Sequence, residues 1–226
     1  MPRIARAVAK GYPHHIIQRG NNREIVFYDD DEDKKQYLTL LRKYAEKKES
    51  SVIAYCLMSN HVHLLVRPTS EESLSKTMQG VTLCYCQYAN RKYGRSGRLW
   101  ESRYHSCIVD RQKYLRAVAR YIEQNPARAG MVKKAEEYLY SSARAHVKGI
   151  RDGVLGEELF NEEQRGDYIQ LLRTCLREEE IEAVRYHTRS GRPLGKEKFI
   201  ESIERKLKRP LIRRPVGRPK KKQQEL

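Results

Sequence analysis

The stretch SVIAYCLM-SN-HVHLLV, residues 51–66, decides the fold. Ser51–Met58 is apolar and rich in β-branched and aromatic side chains, as a buried strand requires. Ser59-Asn60 reads as a two-residue turn, and His61–Val66 as a second strand running back along the first. The pair is a hairpin in the middle of a sheet. Alternate residues of a strand share a face, so His61 and His63 point one way and Val62 the other.

The pattern extends in both directions. Upstream, His14–Arg19 reads as a short strand stopped by Gly20-Asn21-Asn22. A helix follows from Asp29 to Lys48, with Asp29–Asp31 available to cap it and Tyr37, Leu40, Leu41 and Tyr44 at helical spacing. Downstream, Glu71–Tyr93 is a long helix carrying Leu74, Met78, Val81, Tyr85 and Tyr88 on one side. Gly94–Gly97 ends it. Arg103–Val109 is a strand, and Asp110 caps a helix reaching about Gln124, where Asn125-Pro126 disturbs it because a residue before proline avoids α geometry. The order β-α-β-β-α-β-α is that of an α+β, ferredoxin-like sandwich, an antiparallel sheet with helices on one face. Beyond Gly149 the core pattern weakens. Leu155–Leu176 holds at least one helix, Phe199–Leu207 is a short basic helix, and residues 209–226 are a Pro-, Lys- and Arg-rich tail expected to be disordered when free. The organisation read from this is a main domain over 1–148, a helical accessory region over 149–208, acidic then basic, and the tail.

The 226 residues include 46 Lys and Arg against 29 Asp and Glu, a net charge of +17. Apolar residues, at 39%, are too many for a wholly disordered chain. No apolar run is long enough to span a bilayer, and the first residues lack the apolar core of a secretory signal, so a cytoplasmic protein is expected. The five cysteines form no CxxC pair and read as reduced packing residues. The excess positive charge points to a polyanion, nucleic acid before membrane, although a basic protein with no such partner is the plain alternative. The charge is uneven. Residues 1–150 carry a net +12, residues 151–184 a net −6 and residues 185–226 a net +11.

Two clusters can carry chemistry. His61 and His63, side by side on an otherwise apolar strand, can chelate one divalent ion, or can simply be two histidines on an exposed hairpin face. Tyr121 and Asn125, four apart in YIEQNPARAG (residues 121–130), share a helix face. Beside a metal and a phosphodiester, the Tyr121 hydroxyl can attack phosphorus, and the Asn125 carbonyl can serve as a hard third ligand for Mg²⁺ or Mn²⁺. Alternatively Tyr121 packs and Asn125 caps its helix. No GxxxxGK[ST] phosphate loop is present in the sequence.

The HVH strand, the YIEQNPARAG helix, the opening HHIIQRGNNRE (residues 14–24) and GRLWESRY (residues 97–104) occur in the order seen in a known family. Over roughly residues 3–147 the chain resembles the single-tyrosine HUH transposases of the IS200-like family, in the branch of REP-associated tyrosine transposases. The resemblance implies a catalytic domain over 1–148 with Tyr121 as nucleophile and His61, His63 and Asn125 as ligands of Mg²⁺ or Mn²⁺. It implies cleavage of single-stranded DNA beside REP-like hairpins through a 5′-phosphotyrosine link, without ATP. It further implies a prokaryotic, nucleoid-associated protein, monomeric or homodimeric. A non-catalytic, domesticated hairpin-binding or regulatory protein is the alternative.

For DNA contact, Arg3 and Arg6 form a basic N-terminal arm, which in the family reaches the foot of the hairpin. Arg19, Asn21, Asn22, Arg23, Arg98, Arg103 and Arg128 flank the expected site and can hold phosphates. Trp100 can stack on an unpaired base or plug the core. Arg218, in VGRPK (residues 216–220), resembles the arginine of an AT-hook, or belongs to a basic tail that raises affinity rather than adding chemistry.

Overall fold

A computed structural model describes residues 6–111 and 114–211. In it the 51–66 stretch forms the expected hairpin, β2 (Ser50–Met58) and β3 (His61–Pro68), with Met58 opposite His61 and Cys56 opposite His63. β1 (His14–Arg19) pairs antiparallel with β3, and β4 (His105–Ile108) antiparallel with β1, giving the order β2-β3-β1-β4. α1 (Asp30–Lys47) links β1 to β2, and α2 (Ser73–Lys92) links β3 to β4. α3 (Leu115–Glu123) and the one-turn α4 (Asn125–Arg128) follow, then α5 (Ala143–Lys148), α6 (Arg165–Arg173), α7 (Glu178–Ser190) and α8 (Glu197–Leu207). The β-α-β-β-α-β-α order of the ferredoxin-like sandwich is therefore the order observed. No described helix is long and apolar enough to cross a membrane.

α1 starts where the acidic run allows it. Asp29 accepts a hydrogen bond from the Glu32 amide at 3.1 Å, and four acidic residues fill the first turn, opposite the positive end of the helix dipole. α1 and α2 pack together on one face of the sheet. Gly80 permits the approach, since a Cβ there would stand 2.2 Å from the Tyr44 ring. Val62, Leu64 and Val66 are fully buried in that layer, where Thr82 of α2 donates to Gln18 of β1 at 3.1 Å.

Helices lie on both faces, not one. Ala54, Cys56 and Leu65 are fully buried on the side opposite Val62, and an apolar second face requires its own cover. α3 covers β2 and β3 there. Across the boundary expected at residue 148, α7 packs back on β4 and β1. Both sheet edges are closed as well. Residues 140–142 bond to β2 through Leu57 N–Tyr140 O (2.9 Å) and Ser142 N–Tyr55 O (3.0 Å), and Leu194 bonds to Ile108 at the far edge (2.7 Å).

α3 is anchored through Glu123, which is fully buried. Its carboxylate accepts from Ser142 Oγ (2.5 Å), His146 Nδ1 (2.6 Å) and Tyr168 Oη (2.8 Å). Gln124 donates to the carbonyls of Leu172 (2.6 Å) and Thr174 (2.8 Å). The disturbance expected at Asn125-Pro126 is slight: Gln124 separates α3 from α4, and Arg128 N still bonds to Gln124 O at 2.9 Å.

Candidate active site

The register places the two histidines. Arg19 lies opposite His61 and Ile17 opposite His63, so these four, with Met58, share the sheet face under α3. From α3 and α4, Tyr121, Asn125 and Arg128 reach the same place. From α7 come Glu178, Arg185, Thr188 and Arg189. Together they line one cavity of about 420 Å³.

Tyr121 is 4% exposed, yet its neighbours are polar. Its ring meets His63 edge-on (centroids 5.5 Å, 86°) and His15 likewise (5.7 Å, 80°), and the Arg128 guanidinium lies 4.6 Å from its centroid. Asn125 is fixed by donation from Nδ2 to the carbonyls of Tyr121 (2.9 Å) and Ile122 (3.1 Å). Its Oδ1, the atom expected to bind metal, accepts from Arg128 Nη2 at 2.8 Å.

The histidines are held neutral. Burial pushes His61 down to about 4, aided by Arg19 and Arg128. His63 lies well below its usual value, through burial first and then through His61, His15 and the same arginines. Burial alone takes His15 to about 3. At neutral pH the rings are therefore lone-pair donors. Asn60 Oδ1 stands 2.6 Å from His61 Nδ1, and since that oxygen only accepts, His61 carries its proton on Nδ1 and leaves Nε2 free. Asn60 Nδ2 in turn donates to Arg23 O at 2.9 Å.

Around this neutral pair stand cations. Burial lowers Arg128, with Tyr121 opposing the shift. Arg185 is raised, first by its hydrogen bond with Glu182, against burial and with Tyr121 adding in the same direction. A cavity of neutral nitrogen donors, one tyrosine hydroxyl and several guanidiniums suits a phosphodiester. Among the described residues no three His, Cys, Asp or Glu side chains group as a ligand set. Two imidazole nitrogens and a carboxamide oxygen fit a divalent ion that retains water and phosphate ligands.

The other sequence-derived candidates fall elsewhere. Asn21, Asn22 and Arg23 form an exposed turn beside Asn60, with Asn22 (φ 53°) and Arg23 (φ 62°) in the left-handed region. Arg6, Arg98, Trp100 and Arg103 line a second cavity of about 730 Å³ on the α2 face, apart from the one that Tyr121 lines. Arg6 is engaged there, donating from Nε (2.8 Å) and Nη2 (2.6 Å) to Tyr104 O. Trp100 as a base-stacking ring is corrected. It is 5% exposed and packs on Tyr85 and Tyr37 (centroids 6.1 and 6.2 Å), so it plugs the core. Arg3 and Arg218 lie outside the described residues.

Sequence reading missed His15, Asn60 as a partner of His61, and every α7 contribution. A signal existed for His15, which is two and four residues from Ile17 and Arg19 on the same strand face. For α7 the signal was Ile181, Val184 and Thr188 on one helix face, with Gly191 in a left-handed C-cap (φ 71°).

The family model described as "Transposase IS200 like" matches residues 9–125, half of the chain, from β1 through Tyr121 to Asn125. The chain belongs to the IS200-like transposase family. Among solved structures, a REP-associated tyrosine transposase bound to a REP hairpin superposes with a TM-score of 0.54 at 16% identity, covering 71% of this chain and 94% of that one. At that identity the likeness shows the fold of this IS200-like transposase. A candidate transposase from Deinococcus radiodurans R1 matches with a TM-score of 0.38 at 21% identity, over 54% of this chain and 97% of that one, an overlap too loose to add to the argument. No curated protein sequence matches the chain.

Proposed function

We propose that this IS200-like transposase, of the REP-associated branch, is a metal-dependent strand transferase. In this reading it cuts single-stranded DNA next to REP-like hairpins through a 5′-phosphotyrosine intermediate. The observation that carries the proposal is the single cavity where His61, His63, Tyr121 and Asn125 meet among Arg19, Arg128 and Arg185. Residues 1–148 supply the sheet, the nucleophile and the ligands, and residues 149–208 complete the wall through α7.

His61 Nε2, His63 Nε2 and Asn125 Oδ1 would hold Mg²⁺ or Mn²⁺, the last once Arg128 gives up its hydrogen bond. Bound there, the ion would polarise the scissile phosphate. Tyr121 Oη attacks phosphorus; the Oη–P bond forms and the P–O3′ bond breaks. The tyrosine proton passes to solvent water, and the departing 3′-oxygen takes a proton from water. Arg128 and Arg185 beside Tyr121 offset charge on the phosphate. A second 3′-hydroxyl reverses the step and rejoins strands, so the bond energy is conserved and no nucleotide is needed.

The test is a labelled single-stranded oligonucleotide carrying the hairpin repeats that flank the gene, mixed with protein and Mn²⁺. Wild type should cleave it, chelator should stop cleavage, and His63→Ala should be inactive. Hairpin binding without cleavage under all these conditions would favour the domesticated binding protein instead.

A further inference from the structure

We propose that His15 and Thr188 form a hydrogen-bond relay that fixes the tautomer of His63 and turns its Nε2 toward the metal position. The chain of contacts is continuous. Thr188 Oγ1 donates to Val184 O, one turn back in α7, at 2.8 Å. His15 Nδ1 lies 2.7 Å from that Oγ1, and His15 Nε2 lies 3.0 Å from His63 Nδ1. The two imidazole planes are nearly parallel, 7° apart with centroids at 5.3 Å, as an in-plane N–H···N bond requires.

The direction follows from the donors. A hydroxyl has one proton, and here it goes to the Val184 carbonyl. The Thr188 oxygen is then an acceptor, so His15 must carry its proton on Nδ1. His15 Nε2 becomes an acceptor and takes the Nδ1 proton of His63. What remains on His63 is an unprotonated Nε2, the state that a metal ligand requires. The opposite polarity, with Thr188 donating to His15, would put a proton on His63 Nε2 and block it. Cys107 Sγ lies 3.4 Å from Thr188 Oγ1. His15, His63 and Thr188 are each 1–2% exposed, so these bonds are largely shielded from bulk water. His61 obtains the same tautomer separately, from Asn60. The relay begins on α7, so a helix from beyond residue 148 orients a ligand on the central strand. His15 and Thr188 are positioning residues, acting through His63.

The proposal rests on the metal reading above, and two measurements separate them. The first needs no metal. Long-range ¹H–¹⁵N correlation spectra of the full-length, metal-free protein report which nitrogen of His63 is protonated. Wild type should show the Nδ1–H form; Thr188→Val should show a mixture, and Thr188→Ser, which keeps the hydroxyl, should restore it. A His63 Nε2–H form in wild type, or no change in Thr188→Val, would overturn the relay. The second is Mn²⁺ affinity by titration calorimetry on the same proteins. His15→Gln and Thr188→Val should each weaken binding about 10–100-fold, the usual range for outer-shell partners, with Thr188→Ser near wild type. Unchanged affinity in both would also overturn it. Wild type that binds no Mn²⁺ contradicts the metal reading, and the spectra then decide the relay alone.

Discussion

At the scale of single residues, the site depends on imidazoles kept neutral by burial. His14 and His61 are pushed down to about 4 and His15 to about 3, with His63 also well below its usual value. As pH falls below about 6.5 the unfolded chain takes up these protons first. Stability is therefore complete above that pH and declines as the solution is acidified toward pH 4, each unit of separation being worth about 1.4 kcal/mol per histidine. Thermal unfolding from pH 8 to pH 4 should show a flat melting temperature down to about 6.5 and a steady fall below it. A flat profile to pH 4 would contradict this. His61, His63, Tyr121 and Asn125 were legible in the sequence because period-2 and i,i+4 spacing place each pair on one face. Strand alternation puts His15 on the face of Ile17 and Arg19, but only the β1–β3 register brings it beside His63.

The elements hold these residues through a few specific contacts. α3 is pinned by the Glu123 carboxylate, whose partners Ser142, His146 and Tyr168 come from after α4, from α5 and from α6. Glu123→Gln leaves one buried partner without an acceptor and should lower stability by about 1–3 kcal/mol in chemical denaturation, with strand cleavage falling as Tyr121 loses its placement. An unchanged unfolding midpoint would show that the carboxylate does not anchor the helix. Where α1 meets α2, Gly80→Ala forces a Cβ into the Tyr44 ring and should destabilise by about 1–3 kcal/mol; a neutral effect would mean that the helices can separate freely. The hairpin and the first two helices were readable because their apolar periodicity is strong. α7 was not, because EEEIEAVRYHTRS is mostly polar and only Ile181, Val184 and Thr188 are buried. That buried face has meaning only against β4 and β1, which a local pattern does not contain.

Over the whole molecule, the +17 charge divides differently from its order along the chain. The basic segment 185–226 follows an acidic stretch and reads as an adder of affinity, yet Arg185 and Arg189 stand in the cavity that Tyr121, His61 and His63 line. Sequence order could not reveal this, because α7 folds back over the sheet. Truncation at residue 208 removes the basic tail beyond α8, together with the Leu211 amide bond to Glu204. It should weaken hairpin binding at moderate salt and make the slope of log K against log salt shallower; identical slopes would show that the tail does not contact DNA. The central claim is that Tyr121 forms a covalent bond with the 5′-phosphate of a cleaved strand. Protein should be reacted with the flanking-repeat hairpin and Mn²⁺, denatured, digested with protease and nuclease, and its peptides read by mass spectrometry. The account predicts a nucleotide phosphate on Tyr121 and none in Tyr121→Phe. A nucleotide on another residue, or strand cleavage that persists in Tyr121→Phe, would contradict it.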